Sequence, residues 1–283
     1  MEYVLEQTVS HARVDFLGEQ KISDLLGMLE QAAVEASQAC GWDPRAYAQV
    51  SGVWIIRRTR VCRWQPVGGL DRLRIVTQVA DIRRARSLRE YTVWRGMRLI
   101  AEAVTDWVYC DVHRSRPARV PAELARALHG KDTPPSFERV ELPWPELHGA
   151  PVRFRSRVAP SHLDHLQHVN NASYADLFDD AVLDACGTHG WPCSRMLAAG
   201  GCLRPVALDL EYLDAASGGD EIEIETWSQW TARGDEPPQS AEFWQLARRT
   251  SDASIVARAV SSYLWRRRAP VLGLPPETAS GTA

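Results

Sequence analysis

The sequence predicts an α+β protein in which one unit, a central helix and a curled antiparallel sheet, is used twice. Three observations predict it. Two stretches place apolar residues at helical spacing, and both end in Cys-Gly, at Cys40-Gly41 and Cys186-Gly187. Two glycine turns, Gly68-Gly69 and Gly218-Gly219, each lead into period-two alternation. Matched segments stay about 146 to 156 residues apart, a spacing that two unrelated domains would rarely keep.

The first unit carries its helix over Ser23 to Cys40, where Leu25, Leu26, Met28, Leu29, Ala32, Ala33 and Ala36 form a wide apolar face. Ser23 is placed to cap its start and Gly41 to end it. A strand follows at Val61-Cys62-Arg63-Trp64. Beyond the glycine turn, Leu73, Ile75, Thr77 and Val79 lie on one face of another. A later strand spans Ala101 to Tyr109. The proline-rich stretch from His113 to Pro151 reads as a connection with one short helix near Ala122 to Leu128.

The second unit repeats this order. Its helix, Asn171 to Cys186, carries Tyr174, Leu177, Phe178, Ala181 and Ala185. Asp209-Leu210-Glu211-Tyr212 answers the first strand, Ile222, Ile224 and Thr226 the second, and Ala257 to Trp265 the later one. The expected boundaries are a first domain over 1–130, a linker over 131–150, a second domain over 151–268 and a flexible tail over 269–283. Wrapping a sheet around each helix takes several large side chains out of water, each worth about 1.5–3 kcal/mol.

With 45% apolar residues, the 283-residue chain can bury a sizeable core. Its net charge of -3 gives no electrostatic footprint for nucleic acid. The six cysteines form no C-x-x-C pair, which fits reduced thiols. Neither a signal peptide nor a membrane-spanning run is expected, so the reading is a soluble cytoplasmic protein.

Chemistry concentrates in Ser161-His162-Leu163-Asp164-His165-Leu166-Gln167-His168-Val169-Asn170-Asn171, a polar loop that opens the second helix. A helix start offers unpaired N–H groups and partial positive charge, suited to an oxyanion. Asp164 and His168 are four apart, so one turn brings both towards one carbonyl, and either can orient or deprotonate water. His162, His165 and His168 recur every third residue, but no second ligand cluster accompanies them, so no metal is expected. Asp176, Asp179, Asp180 and Asp184 read as solvated helix surface. Arg57, Arg58, Arg60 and Arg63, with Arg83, Arg84, Arg86 and Arg89, read either as solvent-facing strand positions or as a docking surface for an acidic partner.

Gln167-His168-Val169-Asn170-Asn171-Ala172-Ser173-Tyr174 resembles the His-Val-Asn-Asn signature of hot-dog thioesterases. The duplicated unit is similar to the acyl-acyl-carrier-protein (acyl-ACP) thioesterases, which are tandem hot dogs, over roughly residues 1 to 268. The resemblance implies hydrolysis of an acyl thioester on acyl carrier protein or CoA, without cofactor or metal. It implies Asp164 and His168 as catalytic residues, with Asn170 and Asn171 shaping the loop and helix start. Two positions depart from the family pattern. Leu166 stands where the family often has Asn. Ala215 and Ala216 stand where plant members place Glu and Cys, leaving Glu211 or Asp214 as the nearby carboxylates, and Glu211 is taken as a supporting residue.

Those departures motivate an alternative, a dehydratase, cyclase or acyl-transfer enzyme acting on a carrier-bound polyketide. A non-catalytic carrier-binding module is the third reading. The first unit's loop, Val14-Asp15-Phe16-Leu17-Gly18-Glu19-Gln20, lacks the motif and suggests a structural or pocket-forming half. A chain with both units can pair them internally, and a homodimer of such chains is a further expected assembly.

Overall fold

The chain builds the same order of elements twice. The computed structural model describes residues 2–114, 116–129, 144–147, 149–230 and 236–267. In the first half, β1 (Glu2–Thr8) precedes a short 3-10 turn (His11–Arg13), α1 (Ile22–Ala39), α2 (Pro44–Gln49), β2 (Gly52–Arg63), β3 (Arg72–Arg83), β4 (Arg86–Arg95) and β5 (Arg98–Asp111). A two-residue strand, β6 (Arg116–Pro117), and α3 (Ala122–Leu128) follow. The second half repeats the order with β7 (Val152–Arg157), a 3-10 turn (Pro160–His162), α4 (Asn171–Thr188), α5 (Cys193–Ala198), β8 (Gly201–Tyr212), β9 (Glu221–Trp230), β10 (Ser240–Arg249) and β11 (Ile255–Arg267). Among the described residues no helix is long and apolar enough to cross a membrane.

All strands join one antiparallel sheet in the order β1-β3-β4-β5-β2-β8-β11-β10-β9-β7, with β6 attached to β5. The halves meet at β2 and β8, where Arg58 faces Glu211, Arg60 faces Asp209 and Cys62 faces Ala207. Arg58 clasps Asp209 through two hydrogen bonds of 2.6 and 2.5 Å. Each half-sheet curls around its own helix, giving two hot-dog units side by side. Period-two alternation carries Leu73, Ile75, Ile222 and Ile224 into a shared core with Leu25, Leu29, Leu177 and Phe178. β2 and β8 both open on glycine because a Cβ at Gly52 would overlap the Tyr109 hydroxyl, and one at Gly201 would overlap the Arg266 carbonyl.

The two central helices also pack on each other, and the Ser23 hydroxyl donates to Asp176 at 2.7 Å. This corrects the reading of Ser23 as a cap: α1 starts one residue earlier, after Lys21, and Ser23 is spent on the partner helix. Gly41, at φ +83°, follows the end of α1 as expected. Gly187 does not end α4, which runs on to Thr188, and the left-handed turn falls at Gly190. The short helix Ala122–Leu128 forms where expected and buries Leu124 and Leu128 against the first half. Most of the linker 131–150, and the tail 269–283, lie outside the described residues.

Burial corrects two surface assignments. Arg63 and Arg89 are 2% and 6% exposed, so neither belongs to a docking surface. Asp176 and Asp179 are half-buried and paired rather than solvated, Asp176 with Ser23 across the helix interface and Asp179 with Tyr263 and Arg204 of the sheet.

Candidate active site

Asp164 organises the loop that opens α4. Its Oδ1 accepts from the Leu166 N–H at 2.8 Å and the His168 N–H at 3.2 Å, and its own N–H donates to the His168 carbonyl at 2.8 Å. Closing so tight a loop forces Gln167 to φ +64°. Asn170 then caps α4 by accepting from the Ala172 N–H at 2.8 Å, while its backbone N–H donates to the His162 carbonyl. The loop is tied to the sheet by the Val169 N–H donating to the Ala216 carbonyl at 2.8 Å and by a bridge from His168 to Ser217. Tyr212 of β8 donates its hydroxyl to the Asn171 carbonyl at 3.1 Å, fixing the first turn. Asp164 is thus half-buried and His168 exposed at the start of a buried helix.

The first half contributes a second carboxyl group. Glu30 of α1 stands in the buried stripe between Leu26 and Ala33, close enough to Asp164 and His165 for their charges to act on it. Burial raises its pKa above the ordinary glutamate value, and the Asp164 charge adds to the rise while His165 opposes it. The phenols of Tyr91 and Tyr212 feel Glu30 as well. Sequence reading missed Glu30. The available signal was a carboxylate within an otherwise apolar helix face.

A copy of the same loop occurs in the first half. Asp15 accepts from the Leu17 and Glu19 N–H groups at 2.8 and 3.0 Å, and Gly18 takes the left-handed conformation at φ +83°. Here the copy is plugged. Arg204 of β8, 2% exposed, lies 2.8 Å from Asp15 and 2.9 Å from Asp179 of α4, and Tyr263 donates to Asp179 at 2.9 Å. The Asp15 contact is an ion pair of poor angle rather than an aligned hydrogen bond. Burial works against the Arg204 charge, but Asp179 and Asp15 outweigh it and hold its pKa raised. Asp179 and Glu30 occupy corresponding places on the two helices, and Ile55 holds the place of Arg204 in β2. Among the described residues, the place between Glu30 and Asp164 that corresponds to Arg204 thus holds no arginine.

The remaining expected residues divide clearly. Asp164, His168, Asn170 and Asn171 gather at the helix start. Glu211 does not join them: it points to the outer side of the sheet, where Arg57 and Arg258 hold it at 3.2 and 2.5 Å, because its neighbour Tyr212 takes the inward position. Asp214 pairs with Arg249 at 2.9 Å, and Ala216 is buried. His162 accepts from the Ala159 N–H through Nδ1. Among the described residues no three His, Cys, Asp or Glu groups gather as a metal site.

Residues 2–128 match the model of the acyl-ACP thioesterase N-terminal domain, the half that lacks the His-Val-Asn-Asn loop. That match spans the first half of the chain. Among solved structures, the 12:0-ACP thioesterase from Umbellularia californica superposes with a TM-score of 0.73 at 14% identity, covering 94% of this chain and 94% of that one. An acyl-ACP thioesterase from Bacteroides thetaiotaomicron VPI-5482 superposes with a TM-score of 0.71 at 15% identity, covering 94% of this chain and 98% of the other. At those identities the likeness establishes the tandem fold. No curated protein matches the sequence. The match over residues 2–128 supports hydrolysis of an acyl thioester on acyl carrier protein.

Proposed function

We propose that the thioesterase hydrolyses its substrate at one site assembled from both halves, with Asp164 and His168 from the second and Glu30 from the first. The observation that carries this reading is the duplication: Glu30 holds on α1 the place that Asp179 holds on α4, where Arg204 links it to the loop of Asp15, so Glu30 stands towards the matching loop of Asp164. In the first half an arginine fills the corresponding position.

Water held between the two carboxyl groups attacks the thioester carbonyl carbon, and Asp164 takes its proton. Negative charge on the carbonyl oxygen falls at the start of α4, where among the described residues no acceptor engages the Asn171 N–H. Collapse of the tetrahedral intermediate breaks the carbon–sulfur bond, and the pantetheine sulfur leaves with a proton. His168, at the exposed mouth, positions the water and steadies the developing charge. The loop bonds to Asp164 Oδ1 leave Oδ2 for this work.

Arg57, Arg58, Arg83, Arg84 and Arg86 line one surface groove with Asp81, Asp106 and Glu211, and the excess of arginine offers net positive charge to an acidic carrier protein. Six free cysteines favour a reducing compartment, and the reading places the enzyme in the cytoplasm. The join of β2 to β8 supplies the pairing of hot-dog units within one chain, so a homodimer adds a contact beyond the site.

The test is release of free thiol from acyl-ACP and acyl-CoA by the purified protein. Asp164→Ala and His168→Ala should each lose at least about 10²-fold in kcat. Unchanged rates in both remove the assigned site. Single-turnover hydrolysis in ¹⁸O-labelled water should put label only in the product acid; label on Asp164 would mean nucleophilic attack through an anhydride.

A further inference from the structure

Arg89 is a buried charge that the hydrolytic step does not use. It lies on the inner face of β4, 6% exposed, and its Nη1 donates to the Thr77 hydroxyl at a long 3.3 Å. No described carboxylate pairs with it. The other deeply buried arginines are answered: Arg204 by Asp15 and Asp179, and Arg63 by Glu19 at 3.9 Å and the Gln20 and Pro205 carbonyls at 2.6 and 2.9 Å. Burial lowers the Arg89 pKa, with only the Tyr91 and Tyr47 phenols and the Cys40 thiol opposing the shift. An ionised group taken out of water with a neutral hydroxyl rather than a carboxylate as its partner is costly, so its retention needs a reason.

The fold does not demand a charge there. Arg89 faces Thr105 of β5, and the corresponding position in the second half is Phe243, which faces Ser261 of β11. Phe243 is fully buried and packs edge-on against Trp230 and Tyr263, with ring centroids 5.8 and 5.1 Å away. The arginine therefore replaces an apolar plug, on the side of the molecule whose helix supplies Glu30.

Polar groups continue from Glu30 to Arg89. Tyr91 shares the inner face of β4 two residues away and feels Glu30. Along α1, Ser37 lies about 10 Å beyond Glu30 at helical rise. Its hydroxyl meets that of Tyr47 at 2.7 Å, and Tyr47 accepts from the Trp54 indole at 3.1 Å. These groups bond to one another, with Tyr91 meeting Thr105 at 3.0 Å, so the surroundings of Arg89 are polar without supplying it a carboxylate.

We propose that Arg89 binds an acceptor oxygen, foremost a carboxylate, at the far end of the acyl group, so that the preferred substrates are acyl-ACPs whose chains end in oxygen rather than in a methyl group. This rests on the thioester being cleaved beside Asp164 and Glu30. A charge-assisted hydrogen bond to a buried arginine then selects the acyl end.

The experiment compares wild type, Arg89→Met and Arg89→Lys on acyl-ACPs of equal length ending in methyl or carboxylate. Thermal melting confirms the fold of each variant, and calorimetry measures binding of the corresponding free mono- and dicarboxylic acids. Wild type should favour the carboxylate-ended chain by about tenfold or more in kcat/KM and bind the diacid more tightly. Arg89→Met should reverse that ratio, and Arg89→Lys should retain part of it. A ratio unchanged by Arg89→Met, with both substrates weakened equally, overturns the proposal. Diacid binding that depends on Arg89 without turnover of either thioester supports the arginine site and contradicts the hydrolytic site instead.

Discussion

Arg204 lies 2.9 Å from Asp179, and this buried contact has no counterpart in the second half, where Ile55 holds the place of Arg204 and Glu30 that of Asp179. The duplicated unit has thus diverged into a locked copy and an open one. The locked copy depends on ion pairing, since Arg204 contacts both Asp15 and Asp179. Arg204→Ala should cost about 3–5 kcal/mol in urea unfolding, because it strands two buried carboxylates. Adding Asp15→Asn and Asp179→Asn should restore part of the loss.

The two loop aspartates should separate stability from turnover. Asp15→Ala should lower the unfolding midpoint and leave turnover by the folded enzyme near wild type. Asp164→Asn preserves an oxygen for the Leu166 and His168 N–H groups, so the loop should hold while kcat falls at least about 10²-fold. Paired melting and kinetic assays of both variants check this.

Glu30 predicts a direction for pH. Its folded pKa is raised above the ordinary value of 4.5, so the folded protein holds that proton more tightly than the unfolded chain. Its contribution to stability is complete below pH 4.5 and is lost as pH rises through the raised pKa. Glu30→Gln should flatten that decline in unfolding free energy. It should also remove the rise in kcat/KM that tracks ionisation of Glu30, which a pH–rate profile reads directly.

Gln167 occupies a left-handed position that Gly18 fills in the first half. Gln167→Gly should stabilise the protein by about 0.5–1 kcal/mol, and Gly18→Ala should destabilise it by a similar amount. Thermal melts of the two variants should move in opposite directions.

Much of this architecture is legible in the sequence because it rests on local patterns. The two apolar helix faces, the glycine turns and the Asp-to-Asn loop all report structure within a few residues of themselves. Glu30, Arg204 and Arg89 escape such reading because their roles depend on what the other strand or helix brings opposite them. Arg89 resembles its solvent-facing neighbours Arg83, Arg84 and Arg86 in sequence. Only the β3–β4 register turns it inward, beside Thr77. Glu211 misleads for the converse reason: strand alternation sends Tyr212 to the helix and Glu211 to Arg57 and Arg258.

The claim that both halves build one active site is tested most directly by a double-mutant cycle in acyl-ACP hydrolysis. Asp164→Asn, Glu30→Gln and their combination would be compared in kcat/KM, with melting confirming each fold. Two carboxyl groups acting on one water should be non-additive, the double variant being little slower than Asp164→Asn alone. A Glu30→Gln enzyme as fast as wild type, or losses that simply multiply, would contradict the shared site.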